Sequence, residues 1–214
     1  MRDSAADKIL AAAAKLFAAN GYAGTTTRMI VAEAGSSLSA IHAHFGSKEG
    51  VYRAVMENTA EMFYQLNASF FKGIQTLEEE GVLSGSIAWD QLVLLTGHVV
   101  EWIYNPKYRS EILLMNQQMI GLGDISLDLP DSFYELFRQF EKLFHAYTGN
   151  SQGDWAIKLA FYTVTSAFDA ANYPHVLMKL LGKSLIDEED IALMKINLKS
   201  YLLTNLRVQL DLRS

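Results

Sequence analysis

The sequence predicts an all-α fold, with a small N-terminal head of three short helices followed by a larger helical body. Three observations predict it. Apolar residues recur at three- and four-residue spacing along most of the chain, and strand-like alternation is sustained nowhere. Capping residues and glycines fall at the ends of those periodic stretches. The chain has 214 residues, half of them hydrophobic, and only three prolines, so it can bury a real core with few forced breaks.

The elements follow in order. Ser4 caps a first helix, and Asp7 is favourable near its positive end. Ile9, Ala13, Leu16 and Phe17 form its apolar stripe, and Asn20-Gly21 closes it. Thr26 or Thr27 caps a second helix bearing Met29, Ile30, Ala32 and Ala34. It stops at Gly35, the residue type that accepts the left-handed conformation ending a helix. Ser37 caps a third, holding Leu38, Ile41 and Phe45, and Gly46 ends it. A short helix, a turn containing glycine and a second short helix form the pattern of a helix-turn-helix, whose second helix lies in the major groove of DNA. Ser47 caps a fourth helix running to about Phe71. Val51, Val55 and Met62 continue the apolar face of its early part, and Phe63, Leu66 and Phe70 turn toward the body. The expected division is therefore 1–46 for the head and 47–214 for the body, bridged by the helix from 47.

Residues 73–85, with three consecutive glutamates at 78–80, read as a loop because like charges so close repel and favour solvation. Ser86 to Asn105 is apolar almost all round (Trp89, Leu92, Val93, Leu95, Val99, Val100, Trp102, Ile103), the mark of a buried central helix, and Pro106 ends it. Tyr108 to about Leu122 makes another helix, with a loop over 121–130. Asp131 or Ser132 starts a helix carrying Phe133, Phe137, Phe140, Phe144 and Tyr147 on one face, closed by Gly149. Asp154 to Asn172 follows, ended by Pro174. Asp187 opens the last helix, whose stripe is Ile191, Met194, Leu198, Tyr201, Leu202 and Leu206. Ala156, Ala160, Thr163, Ala167 and Ala171 are small residues at helical spacing. With the last helix they form the candidate dimer surface, four helices around a two-fold axis.

The net charge of −6 divides unevenly. Residues 1–53 hold six basic and four acidic side chains, a balance of +2, while the remainder holds 12 and 20, a balance of −8. A mildly basic head on an acidic body suits DNA approached from one end. Cysteine is absent, which excludes disulfides and thiolate metal sites. The longest apolar run, Leu92 to Tyr104, is shorter than the roughly 20 residues needed to cross a bilayer and contains His98 and Glu101. Without a signal-peptide layout at the N-terminus, the expectation is a cytoplasmic protein with no membrane contact.

The residues Ile9-Leu10, Ala13, Leu16-Phe17, Asn20-Gly21-Tyr22, Thr25-Thr26, Arg28, Ile30, Ala32, Ala34-Gly35, Ser37, Ile41 and the block His44-Phe45-Gly46-Ser47-Lys48-Glu49-Gly50, with Val51-Tyr52 and Val55, carry a resemblance. Together they resemble the DNA-binding head of TetR-family transcriptional regulators, over about a quarter of the chain. The resemblance implies a homodimer whose heads enter successive major grooves of an operator, most often to repress transcription until a small effector binds. It places Thr27 and Arg28 against phosphates or bases, Ser37, Ser39 and Ala40 at base edges, and Lys48 against a phosphate. Where the family often has a backbone-packing tyrosine, this chain has His42, Ala43 and His44, and histidine can donate to phosphate in its place. Ser36 stands where a valine is common, and Leu38 where a basic or polar residue often stands. These departures bear on affinity and operator choice.

In the body, His98 and Glu101 lie three apart and share a helical face, and Asp169 interrupts an apolar course with Tyr162 two turns earlier. Buried charges need partners or a use, so these are candidate polar contacts inside an effector pocket lined by Phe63, Trp102, Met119, Phe137 and Phe140. The alternative reading of the same residues is a satisfied core. No metal or other cofactor is expected, since His42 and His44 are two apart and helical ligand pairs want three or four. No nucleophile elbow surrounds the serines, and no catalytic residue is assigned. The competing function is an all-α protein-interaction module whose helix-turn-helix has lost DNA binding.

Overall fold

The computed structural model describes residues 4–119, 130–150, 153–170, 179–180, 182–184 and 187–212. Among them all regular structure is helical: α1 (Ala5–Gly24), α2 (Thr27–Ala34), α3 (Leu38–Phe45), α4 (Lys48–Glu79), α5 (Gly85–Ile103), a single 3-10 turn Pro106–Tyr108, α6 (Arg109–Met119), α7 (Asp131–Thr148), α8 (Trp155–Ala170) and α9 (Glu188–Asp211). The chain forms two compact units. The first gathers Met1–Met62 with Tyr108–Ser132, and the second gathers Phe63–Lys107 with Phe133–Ser214.

In the first unit α1 packs on α2, α3 and α6. Ser4 begins α1 with a capping box: its hydroxyl accepts from the Asp7 amide at 3.1 Å, and the Asp7 carboxylate accepts from the Ser4 amide at 2.9 Å. Hydrogen bonds from Ser4 hold the Asp7 carboxyl below its ordinary pKa. The helix breaks at Gly21, whose φ of 70° ends the regular turn where Asn20-Gly21 predicts it. Thr26 and Ser37 cap α2 and α3 through bonds to the amides of Met29 and Ala40. Ile9, Ala13, Phe17, Ile30, Ile41, Val51 and Val55 close the core between these helices. Gly50 allows α4 to start hard against α3, since a Cβ there would fall 1.9 Å from the carbonyl oxygen of Phe45.

α4 is longer than the sequence predicts. It continues through Gly73 and the first two glutamates to Glu79, leaving only 80–84 as the connection. Ile74 is fully buried and Glu78 accepts from Lys142 at 2.7 Å, so burial and an opposite charge outweigh the repulsion.

In the second unit α5, α8 and α9 pack together. A string of aromatic rings runs through it: Phe63 lies 4.5 Å from Trp102, Trp102 5.6 Å from Phe168, Phe168 5.7 Å from Phe133, and Phe133 5.4 Å from Phe137. Edge-to-face contacts of this kind add to the area term in a core. The small residues of α8 correct an expectation. Ala156, Ala160, Thr163 and Ala167 are buried within the one chain, so they bring α8 close to its own neighbours and are not free to form a dimer surface. Ala171, of the same series, and the helix end expected at 172–174 lie outside the described residues.

Candidate nucleic-acid interface

The turn between α2 and α3 is made by Gly35, with φ 58° and ψ 40°, followed by the extended Ser37 cap. Ile41 plugs α3 into the head with no exposed surface. The side chains of Ser37, Leu38, Ser39, His42, Ala43 and His44 are exposed, and Ala40 is half-buried. On α2, Arg28 is exposed and Thr27 half-buried. The structure thus brings seven of the eight predicted DNA-facing residues onto α2, the turn and α3.

Their hydrogen bonds separate roles. The Ser37 hydroxyl accepts from the Ala40 amide and lies 2.8 Å from the Ser39 hydroxyl, so Ser37 is occupied as a cap. Ser39 extends from that pair. His42 Nδ1 lies 3.0 Å from the Gly46 carbonyl oxygen. A carbonyl only accepts, so Nδ1 carries the proton and the neutral ring offers Nε2 as an acceptor. Protonation of Nε2 would be required before His42 could donate to a phosphate.

Lys48, the eighth, is placed differently from the expectation. Its ammonium donates to the carbonyls of Tyr22 and Thr25, both at 2.9 Å, and lies 3.9 Å from the centroid of the Tyr22 ring. Tyr22 stacks on Phe17 and meets Tyr52 edge-on, and burial with the Glu49 charge pushes its phenol up from the ordinary pKa. Thr25, fully buried, donates to the carbonyls of Leu16 and Gly21. Lys48 therefore fastens the α1–α2 connection, a role no local spacing signals, since its acceptors lie 26 and 23 residues earlier. Of the other described basic residues in 4–62, Lys15 pairs with Glu33 at 2.6 Å and Arg53 with Glu49 at 3.3 Å. Arg28 is held in no such pair.

The candidate effector residues separate as well. Phe63, Trp102, Phe137 and Phe140 are buried in the second unit. Glu101 is not with them: it is exposed and accepts from Lys195 at 2.6 Å, because its position on α5 turns away from the buried face of Trp102 and Ile103. Tyr162 is 66 % exposed, on the outward side of α8. His98 is half-buried against the Phe70 ring at 4.8 Å, and desolvation aided by the Lys199 charge lowers its pKa. Asp169 is half-buried. The Met119 side chain lies outside the described residues. Among the described residues no cluster of three His, Cys, Asp or Glu side chains could hold a metal, and no helix is long and apolar enough to cross a membrane.

Residues 9–55 match the sequence profile of bacterial regulatory proteins of the tetR family. No curated protein matches the chain. Among solved structures, a tetR-family regulatory protein from Rhodococcus RHA1 is 21% identical with a TM-score of 0.62, over 96% of this chain and 97% of its own. A gamma-butyrolactone receptor, an ArpA-like protein, is 20% identical with a TM-score of 0.53, over 92% of this chain and 95% of its own. Mycobacterium smegmatis AmtR is 19% identical with a TM-score of 0.53, over 99% of this chain and 94% of its own. At these identities the likeness is one of fold.

Proposed function

We propose, from the match of its head to the tetR-family profile over residues 9–55, that the chain is a TetR-family repressor, binding a palindromic operator as a homodimer and released by a small effector. One observation carries the reading: α3 is anchored by Ile41 and leaves Ser39, His42 and Ala43 exposed, as α2 leaves Arg28. Arg28 and Thr27 would grip phosphates, Ser39 and Ala40 with the two histidines would meet base edges or sugars, and Lys48 would serve by holding the α1–α2 connection in place. The protein works by binding, in the cytoplasm, and catalyses nothing.

The homodimer is supported by the outward face of α8 and α9. Phe161, Tyr162, Tyr201 and Val208 are 48–66 % exposed, a concentration of large apolar side chains suited to a partner copy. Replacing Tyr162 and Tyr201 together by arginine should yield a monomer in sedimentation and weaken operator binding at least a hundredfold; an intact dimer would remove this face from the interface.

The effector is proposed to be neutral and largely apolar or aromatic. Among the described residues no charged side chain is fully buried, and the unpartnered buried atoms of the second unit include Thr96 Oγ1, Trp102 Nε1 and Gln139 Oε1, all neutral groups. A gamma-butyrolactone, the molecule for which one receptor of similar fold is named, has that uncharged character. Release would follow if the effector bound one arrangement of α4, the helix common to head and body, more tightly than another.

Selection of bound duplexes from a random pool by the full-length chain tests the whole reading. A two-fold symmetric sequence with half-sites one helical turn apart, or a multiple of it, is expected. Failure on that pool, and on DNA flanking the chain's own gene, would favour the interaction-module reading.

A further inference from the structure

The recognition helix reads Leu38-Ser39-Ala40-Ile41-His42-Ala43-His44-Phe45, with no arginine, lysine, asparagine, glutamine or carboxylate. The bidentate pairings that distinguish guanine and adenine are therefore closed to it. Its exposed side chains are Leu38, Ser39, His42, Ala43 and His44; Ser39 and Ala43 lie opposite Ile41, while Leu38 flanks Ile41 one turn earlier, at the open start of the helix. Two of those five, Leu38 and Ala43, are hydrocarbon. Leu38 is 38 % exposed, and it and Met29 are the large apolar side chains left exposed among residues 4–62. Leu38 also occupies the first turn of α3, the end of a recognition helix that reaches furthest into the groove.

An exposed leucine at this place has one complementary feature on B-DNA. Of the four bases only thymine presents a methyl group in the major groove, and apolar side chains are the groups that close on it. We infer that Leu38 and Ala43 are specificity-determining residues that read thymine methyl groups, so that the operator half-site is defined chiefly by the placement of its thymines. The inference rests on the DNA-binding reading above and adds to it the chemical feature that is read. Ser39 and the Nε2 acceptor of His42 contribute single hydrogen bonds beside these contacts, which discriminate less sharply than bidentate pairs.

The test leaves the protein unaltered at first. In the duplex enriched from the random pool, each half-site thymine is replaced in turn by uracil, which removes the methyl and keeps the pairing edge. Binding of the full-length chain is measured at fixed salt. One or two thymines per half-site should each lose about fourfold in affinity, the partition of one methylene-sized group. Leu38→Ala should bring the thymine-to-uracil ratio close to one at one of those positions while the uracil duplex binds both proteins alike. Leu38 is exposed, so the variant is expected to keep its helical circular dichroism, and the uracil scan on the unaltered chain decides even if it does not. Equal binding with uracil at every position, or undiminished thymine preference in Leu38→Ala, overturns the inference and leaves DNA binding standing. A pool with no enriched duplex overturns the DNA-binding reading, and this inference with it.

Discussion

α3 and α7 are both helices with apolar residues at helical spacing, yet they distribute their side chains in opposite ways. The eight residues of α3 bury one side chain fully, Ile41, and offer most of the rest to the surface. The eighteen residues of α7 bury seven, among them Phe133, Phe137, Phe140 and Phe144. A helix whose surface is its product needs a firm anchor from elsewhere, and the head supplies it through the Gly50 approach and the Lys48 fastening. A helix whose interior is its product needs only complementary neighbours, and α7 finds them in the aromatic string. The difference teaches that substitutions in the head should move binding at modest cost in stability, whereas substitutions in the body should act first on stability.

Phe168→Ala gives the largest expected effect. It removes the ring that joins Trp102 to Phe133 and should cost about 3–5 kcal/mol in chemical denaturation, as for large-to-small changes in a packed core. A loss below about 1 kcal/mol would mean that the string is loosely packed and the contrast between the units is weak.

Gly50→Ala attacks the anchor of the reading helix. Its Cβ would lie 1.9 Å from a backbone carbonyl oxygen that cannot rotate away, so a loss of about 1–3 kcal/mol in head stability is expected, together with operator affinity. An unchanged melting curve would show that α3 and α4 separate freely.

Lys48→Met sharpens the comparison further. If the ammonium serves the Tyr22 and Thr25 carbonyls, the head should lose about 1–2 kcal/mol while the salt dependence of operator binding keeps its slope. A slope reduced by about 1 per subunit would show that Lys48 leaves those carbonyls for a phosphate. Arg28→Ala should do the reverse, lowering that slope by about 1 per subunit with no change in melting.

The smallest effect belongs to His98. Its folded-state pKa lies below the ordinary 6.5, so the unfolded chain binds the extra proton first as pH falls. Body stability should therefore decline on acidification from about 6.5 down to the folded value and level off below it. His98→Gln should flatten that segment of a stability-against-pH curve.

The sequence by itself determined the helices, their caps and the helix-turn-helix, because those features depend on neighbours within four residues: Ser4 with Asp7, Ser37 with Ala40, Asp187 with Asp190. It also indicated which side of α3 is exposed, since Ile41 fixes which side is inward. Tertiary structure decided the rest. Lys48 finds its acceptors 26 and 23 residues earlier, and Glu101 finds Lys195 94 residues later, distances at which local spacing carries no information. The inward turn of the small residues on α8, the outward turn of Tyr162 and the extra turns of α4 past Gly73 were settled the same way. Each depends on what another helix brings to that face, and a stretch of sequence does not contain its neighbour in space.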